Sequence, residues 1–305
     1  MKNAIRKQYL KSIFFTLFPF VVPFVFMIPN TIINDLSQYI IVFFLLCIDI
    51  YFVLRLSKQD AVSIQNSENL QFDNKKYCIS QKILNRLANC EKIKGDLLKD
   101  ETYKVHYDYK DNILLYNPHR YLECICEEIK SLISDITGIE LEYVSVSFIY
   151  QYSTSSDAWS GWQWITGKGP TSNFDLNELI NKTDSHYHYL VSNNITTSFE
   201  NDKAKLIPRH YWVGENDMRH DTYGSISSHR MSFRNNNLTF CSGYLTISTY
   251  SKKFYSKSEN SNFKSENEFK RILFDLVIPP FRRIIETELG FLYMRHKYRE
   301  ENNIK

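Results

Sequence analysis

GSISSHRMSFRNNNLTFCSGYLTISTYS, residues 224–251, decides how the second half of the chain folds. Two long runs, GSISSHRMSFR and LTFCSGYLTISTYS, read as strands, and only Asn235–Asn237 separate them. A connection of three asparagines suits a hairpin. A long antiparallel hairpin is therefore expected.

Working outward, Ser265 stands three residues before Glu268, the spacing of a capping box. A long C-terminal helix should follow, kinked at Pro279–Pro280, with Arg295, His296 and Lys297 complementing its dipole. Upstream, "NPHRYLECICEEIKSLISDITG" reads as a helix capped by Asn117, opened by Pro118 and ended by Gly138. "LEYVSVSFIYQY" reads as a strand, as do "ETYKVHYDY", "HYHYLVS" and "LIPRHYW". A short helix fits residues 175–181. Apolar residues from Ile79 to Leu97 recur every three or four positions and predict a helix over 79–98.

Helix, strand, helix, strand, variable loops, strand, hairpin and long helix form an order that suits an α+β domain. Its antiparallel sheet would carry its helices on one face. Over residues 101–297 this order, with the hairpin and long helix just quoted, resembles GAF-like domains, the cousins of PAS folds. The resemblance implies a pocket between the sheet and the variable middle loops. It would lie near Trp159, Trp162, Trp164 and Trp212.

The amino-terminal stretch has a different character. Residues 12–34 carry no charge, and residues 36–54 are again long and apolar apart from Asp49. About 20 apolar residues span a bilayer core of about 30 Å. A transmembrane hairpin over residues 1–59 is expected, with spans at about 12–28 and 36–54. A linker over 60–78 and a soluble domain over 79–305 would follow. A signal peptide is the rival for the first span, but no A-x-A-like cleavage site is present.

Lys2, Arg6, Lys7 and Lys11 precede the first span, and Arg55 and Lys58 follow the second. The positive-inside rule places both termini in the cytoplasm. Pro19 and Pro23 share a helix face and would kink the first span, while Asp49 is an acid within the second. These three are the candidate membrane-active residues.

The net charge is +3, yet residues 1–59 hold six of the Lys/Arg and only two of the Asp/Glu. The rest is close to neutral, with 31 basic and 32 acidic residues. That leaves no strong nucleic-acid footprint. Six scattered cysteines give no disulfide framework and fit a reducing compartment.

Chemical motifs are scarce. "WITGKGPTS" fails the phosphate-loop pattern, with Trp162 in place of the first glycine and Gly169 after Lys168. On a strand, His186 and His188 would share a face, and an H-x-H metal pair would need a further ligand from His210, Asp217, His220 or Asp221. Cys124 and Cys126 on a helix diverge. Ser225, His229 and Asp221 lie near one another in sequence only. No catalytic residue, metal or cofactor is assigned. Trp159, Trp162, Trp164, His186, His188 and Trp212 are the candidate ligand- or partner-binding residues.

A two-span hairpin ahead of a GAF-like domain resembles the two-transmembrane effectors of bacterial anti-phage systems, of the retron or cyclic-nucleotide type. The resemblance implies a non-enzymatic, self-associating effector of the bacterial inner membrane, multi-pass with both termini cytoplasmic, whose spans disrupt that lipid bilayer on activation. It also implies a partner such as a reverse transcriptase with its nucleic acid, or a nucleotide signal. The alternative is a membrane-tethered sensory or scaffold protein with a small-molecule-binding domain.

Overall fold

A computed structural model describes residues 35–107, 116–153, 160–166, 176–211, 213–218, 222–257 and 262–301. Two compact units divide at Lys75 and Lys76. Helix α1, Asp35–Tyr107, is 73 residues long.

The expected membrane hairpin and its inner-membrane placement are corrected here. Among the described residues no helix is long and apolar enough to cross a membrane. The second span does not end near Leu54. Residues 36–54 are the opening of α1, and the polar tract read as a linker over 60–78 is helical too. Its Gln, Lys, Glu and Ser side chains are compatible with a solvated helix. The resulting element is of mixed polarity rather than a separate apolar span. The first span, Pro19 and Pro23 lie outside the described residues. Asp49 lies within α1, and its side chain is not described.

From residue 76 onward the fold is α+β. Helix α2, Pro118–Thr137, is stopped at both ends as its sequence predicts. His119 N donates to Asn117 Oδ1 at 3.2 Å. Gly138 takes φ 76° and donates its N–H to Ser134 O at 2.8 Å. Ile125, Ile129, Ile133 and Ile136 lie on the buried face of α2, and each buried isoleucine contributes about 1.5–3 kcal/mol.

Strands β1 (Val144–Tyr152), β2 (Gln163–Thr166), β3 (Thr197–Glu200), β4 (Ile226–Asn235) and β5 (Leu238–Thr249) form one sheet. Its order is β2-β1-β5-β4-β3, and every pairing is antiparallel. The β4–β5 hairpin is present, with Asn235 opposite Leu238. Asn236 at φ 52° makes the turn, a left-handed conformation that asparagine tolerates.

Among the described residues, four short α-helices lie between β2 and β4: α3 (Leu176–Asn181), α4 (His186–Ser192), α5 (Ile207–His210) and α6 (Glu215–Met218). Two of them replace expected strands. "HYHYLVS" is α4, begun by Ser185, whose Oγ accepts from Tyr187 N. "LIPRHYW" contains α5, with Pro208 in its first turn. "ETYKVHY" is also helical, as the end of α1.

Helix α7, Glu266–Ile272, starts at the expected cap, with Glu268 N donating to Ser265 Oγ at 3.1 Å. A π-helical turn, Leu273–Val277, then leads into α8, Ile278–Glu301. Pro279 and Pro280 have no N–H to offer the carbonyls four residues back. The helix re-registers just before them, and Ile278 N–H bonds Leu273 O, five residues back.

Helices α2 and α8 pack together and against the central strands. Tyr152 stacks on His296 of α8 with centroids 4.1 Å apart. On the outer side of this layer, Lys94 of α1 reaches Glu288 of α8 at 2.7 Å. Arg86 of α1 pairs with Glu128 and Asp135 of α2. The short helices cover the opposite face of the sheet. The helices are thus not confined to one face as expected.

Candidate functional site

Alternation along β1 sends Val146, Phe148 and Tyr150 to the α2–α8 side and Ser147 and Ile149 to the other. The register carries this second face across the sheet. Ser147 lies opposite Thr246, and Thr246 opposite Ser228. The face beneath the short helices is therefore hydroxyl-rich at its centre, although buried.

Each hydroxyl there has a partner. Ser147 Oγ and Tyr187 OH are 2.8 Å apart, and Ser228 Oγ and Thr246 Oγ1 are 3.0 Å apart. His186 Nε2 meets Ser228 Oγ at 3.1 Å. Farther along β5, Lys203 Nζ donates to Ser248 Oγ at 3.1 Å and to Asp217 Oδ1 at 2.8 Å. Tyr211 OH and Gly214 N donate to the other oxygen of Asp217. Lys203 is fully buried, and its Nζ lies over the rings of Tyr250 and Tyr211 at 4.1 and 5.5 Å. Burial lowers its pKa, and Asp217 opposes that shift.

His186 sits in an aromatic setting. His210, Tyr189 and Tyr211 lie 6.1–6.4 Å from it between centroids. Tyr189 and His210 stack at 3.8 Å. Burial, then the charges of His210 and Lys203, push the His186 pKa down to about 3. The imidazole is therefore neutral at physiological pH.

Among the described residues, two buried polar atoms on this face have no partner, His186 Nδ1 and Trp164 Nε1. Trp164 of β2 lies opposite Ile149 of β1 and meets Tyr187 edge-on at 6.0 Å. Buried polar groups are nearly always satisfied, so such atoms mark a ligand, a water or a functional constraint.

The candidate residues separate as follows. Trp162, Trp164 and His186 share the covered face. Trp162 is core there, 6.1 Å from Tyr244 and packed with Ile149, Leu176 and Ile180. His188 is drawn elsewhere, its Nδ1 2.8 Å from Ile180 O. On a helix, residues two apart point in different directions, so the shared face expected for His186 and His188 does not exist. Trp159, Trp212, His220 and Asp221 lie outside the described residues. Among the described residues no group of three or more His, Cys, Asp or Glu could hold a metal ion.

The Ser225–His229 pairing does not form. Ser225 Oγ donates to Asn201 O at 2.7 Å, whereas His229 Nε2 meets Ser227 Oγ at 2.9 Å. Ser227–His229 and Ser228–His186 are both buried. Burial, helped by Arg282, lowers His229 to about 3, so neither imidazole suits base catalysis near neutral pH.

Lys203, Asp217, Ser228, Thr246 and Tyr187 were not assigned this role from sequence. One signal was available. Along the later part of β5, Leu245 and Ile247 alternate with Thr246 and Ser248, which marks two buried faces of different polarity.

No protein-family model, curated protein or solved structure matches this chain. What stands is an α+β domain with an antiparallel five-stranded sheet and a buried polar layer beneath four short helices.

Proposed function

We propose that the unit beginning at residue 76 is a non-enzymatic sensory domain that takes up a small, uncharged, planar molecule beneath its short helices. The carrying observation is the pair of unpartnered buried atoms, His186 Nδ1 and Trp164 Nε1. The indole N–H requires an acceptor. The surrounding rings of Tyr187, Tyr189, His210 and Tyr211 favour a flat ligand. Lys203 is already neutralised by Asp217, which disfavours a charged one. Binding would order α4 and α5 and pass the event to the rest of the chain. A thermal-shift screen of uncharged heteroaromatic compounds tests this on the full chain. Compounds that raise the melting temperature must lose most of that effect in Trp164→Phe and His186→Gln. Equal stabilisation of all three proteins refutes the reading.

A scaffolding role for α1 has its own support. Ile40, Ile41, Phe43, Phe44 and Tyr51 are exposed large hydrophobics in α1. Exposed apolar surface of this kind marks association sites. In this reading the amino-terminal part of α1 joins copies of the chain. Light scattering should find an oligomer for the full chain and a smaller species for Phe43→Ser/Phe44→Ser. A monomeric full chain rules this out.

A further inference from the structure

A groove of about 850 Å³ lies away from the polar layer, where the free part of β4 meets α8. Arg230 and Arg234 of β4 and Arg282 and Arg283 of α8 line it, with Glu286 and Thr196. Among the described residues, none of the four arginines forms an ion pair. Among the described residues, the one hydrogen bond made by their guanidinium groups joins Arg230 to Asn194 Oδ1. The carboxylate of Glu286 is occupied, accepting from Ser232 N at 3.2 Å. Four guanidinium groups therefore surround one concavity with a single, already engaged carboxylate among them.

Such an arrangement is unfavourable by itself, because four like charges gather around a single carboxylate that offsets only part of them. An anion removes the conflict. Guanidinium groups match phosphate oxygens in a two-pronged geometry, and several together suit a ligand carrying several phosphates. The volume is that of a small-molecule site. The groove also has a firm frame. β3 pairs with β4 only from Ile226 to His229, which leaves the later β4 residues open towards α8. The π turn and the two prolines set where α8 begins, one residue before Arg282 comes Phe281, fully buried in the core.

We propose that this groove binds a small oligophosphate, meaning a chain of linked phosphate groups, free or carried on a nucleoside. A long nucleic acid is disfavoured, because the chain beyond residue 59 is close to neutral overall.

Titration calorimetry on the full chain tests this with two probes, inorganic tripolyphosphate and ATP. Each should saturate a single site below about 1 mM. Equal affinities mean that the phosphates suffice, and tighter ATP binding means that the nucleoside adds contacts. Both results support the site. Arg234 and Arg283 are exposed, so Arg234→Glu/Arg283→Glu should fold normally and weaken binding by about tenfold or more. Arg234→Gln/Arg283→Gln supplies the same test without charge reversal and should also weaken binding. Arg299→Glu, in the separate groove beside Tyr152 and His296, should change it less than about twofold. The proposal is overturned if neither probe saturates, or if the groove variants bind like the unchanged protein. It is also overturned if Arg299→Glu loses as much, or if a single strand of about 20 nucleotides binds more tightly than tripolyphosphate.

Discussion

His186 Nε2 lies 3.1 Å from the hydroxyl of Ser228, while Nδ1 of the same ring has no hydrogen-bond partner among the described residues. One nitrogen fastens α4 to the sheet and the other is left over. Because the ring is buried and neutral, this half-satisfied state persists at physiological pH. It is the structural basis for reading the covered face as a recognition site.

The same burial makes the fold sensitive to acid. His186 and His229 are held at about 3 in the folded chain, against an ordinary value of 6.5. Below about pH 6.5 the unfolded chain takes up protons that the folded chain does not. Stability present above that pH is therefore lost progressively as pH falls towards 3. Each histidine contributes at most about 1.4 kcal/mol per pH unit. Urea midpoints measured between pH 7.5 and 4.5 (about the span where the unfolded histidine titrates) should fall steadily. His229→Gln should flatten the slope, even if it lowers stability at neutral pH.

The Lys203–Asp217 pair should respond unequally to removal of its two partners. Asp217→Ala leaves a buried ammonium without its carboxylate, a loss of about 3–5 kcal/mol. Lys203→Met removes the charge and keeps much of the volume. It leaves Asp217 with donors from Tyr211 and Gly214. Chemical denaturation should therefore show the smaller loss for Lys203→Met.

Lys94 and Glu288 join α1 to α8. Glu288 is fully buried and also accepts from Tyr116 OH at 2.7 Å. Lys94 is about a quarter exposed, with a side-chain accessibility of 26%, which screens part of the interaction. Lys94→Ala should cost about 3 kcal/mol, mainly by stranding the carboxylate. Combining it with Glu288→Gln should cost less than the two single changes added together. Hydrogen exchange should locate the loosening in residues 76–107.

Much of the sheet unit was legible in the chain. The β4–β5 hairpin, the Asn117 and Gly138 stops of α2 and the Ser265 cap of α7 are written in local residues. Those signals act over a few positions, so tertiary context did not override them. The alternating "HYHYLVS" misled, because a period of two in aromatic residues imitates a strand. Ser185 starts a helix there, and both faces of that short helix find partners. The polar tract 60–78 read as a linker because nothing in its composition demands burial, yet it continues α1. Of the candidate residues, Trp162, Trp164 and His186 lie on the covered face, whereas the expected pairing of His186 with His188 is lost because both stand on a helix. The Lys203–Asp217 pair escaped notice, because its 14-residue separation is closed only by the packing of the short helices on β5.

The most direct test of the recognition site is the indole N–H resonance of Trp164 in a ¹⁵N-labelled full chain, assigned by its loss in Trp164→Phe. This N–H has no hydrogen-bond partner among the described residues. When a stabilising heteroaromatic compound is added, the resonance should move downfield and exchange more slowly with solvent, with the Trp162 signal less affected. If stabilising compounds leave the Trp164 resonance where it is, the covered face is not the recognition site.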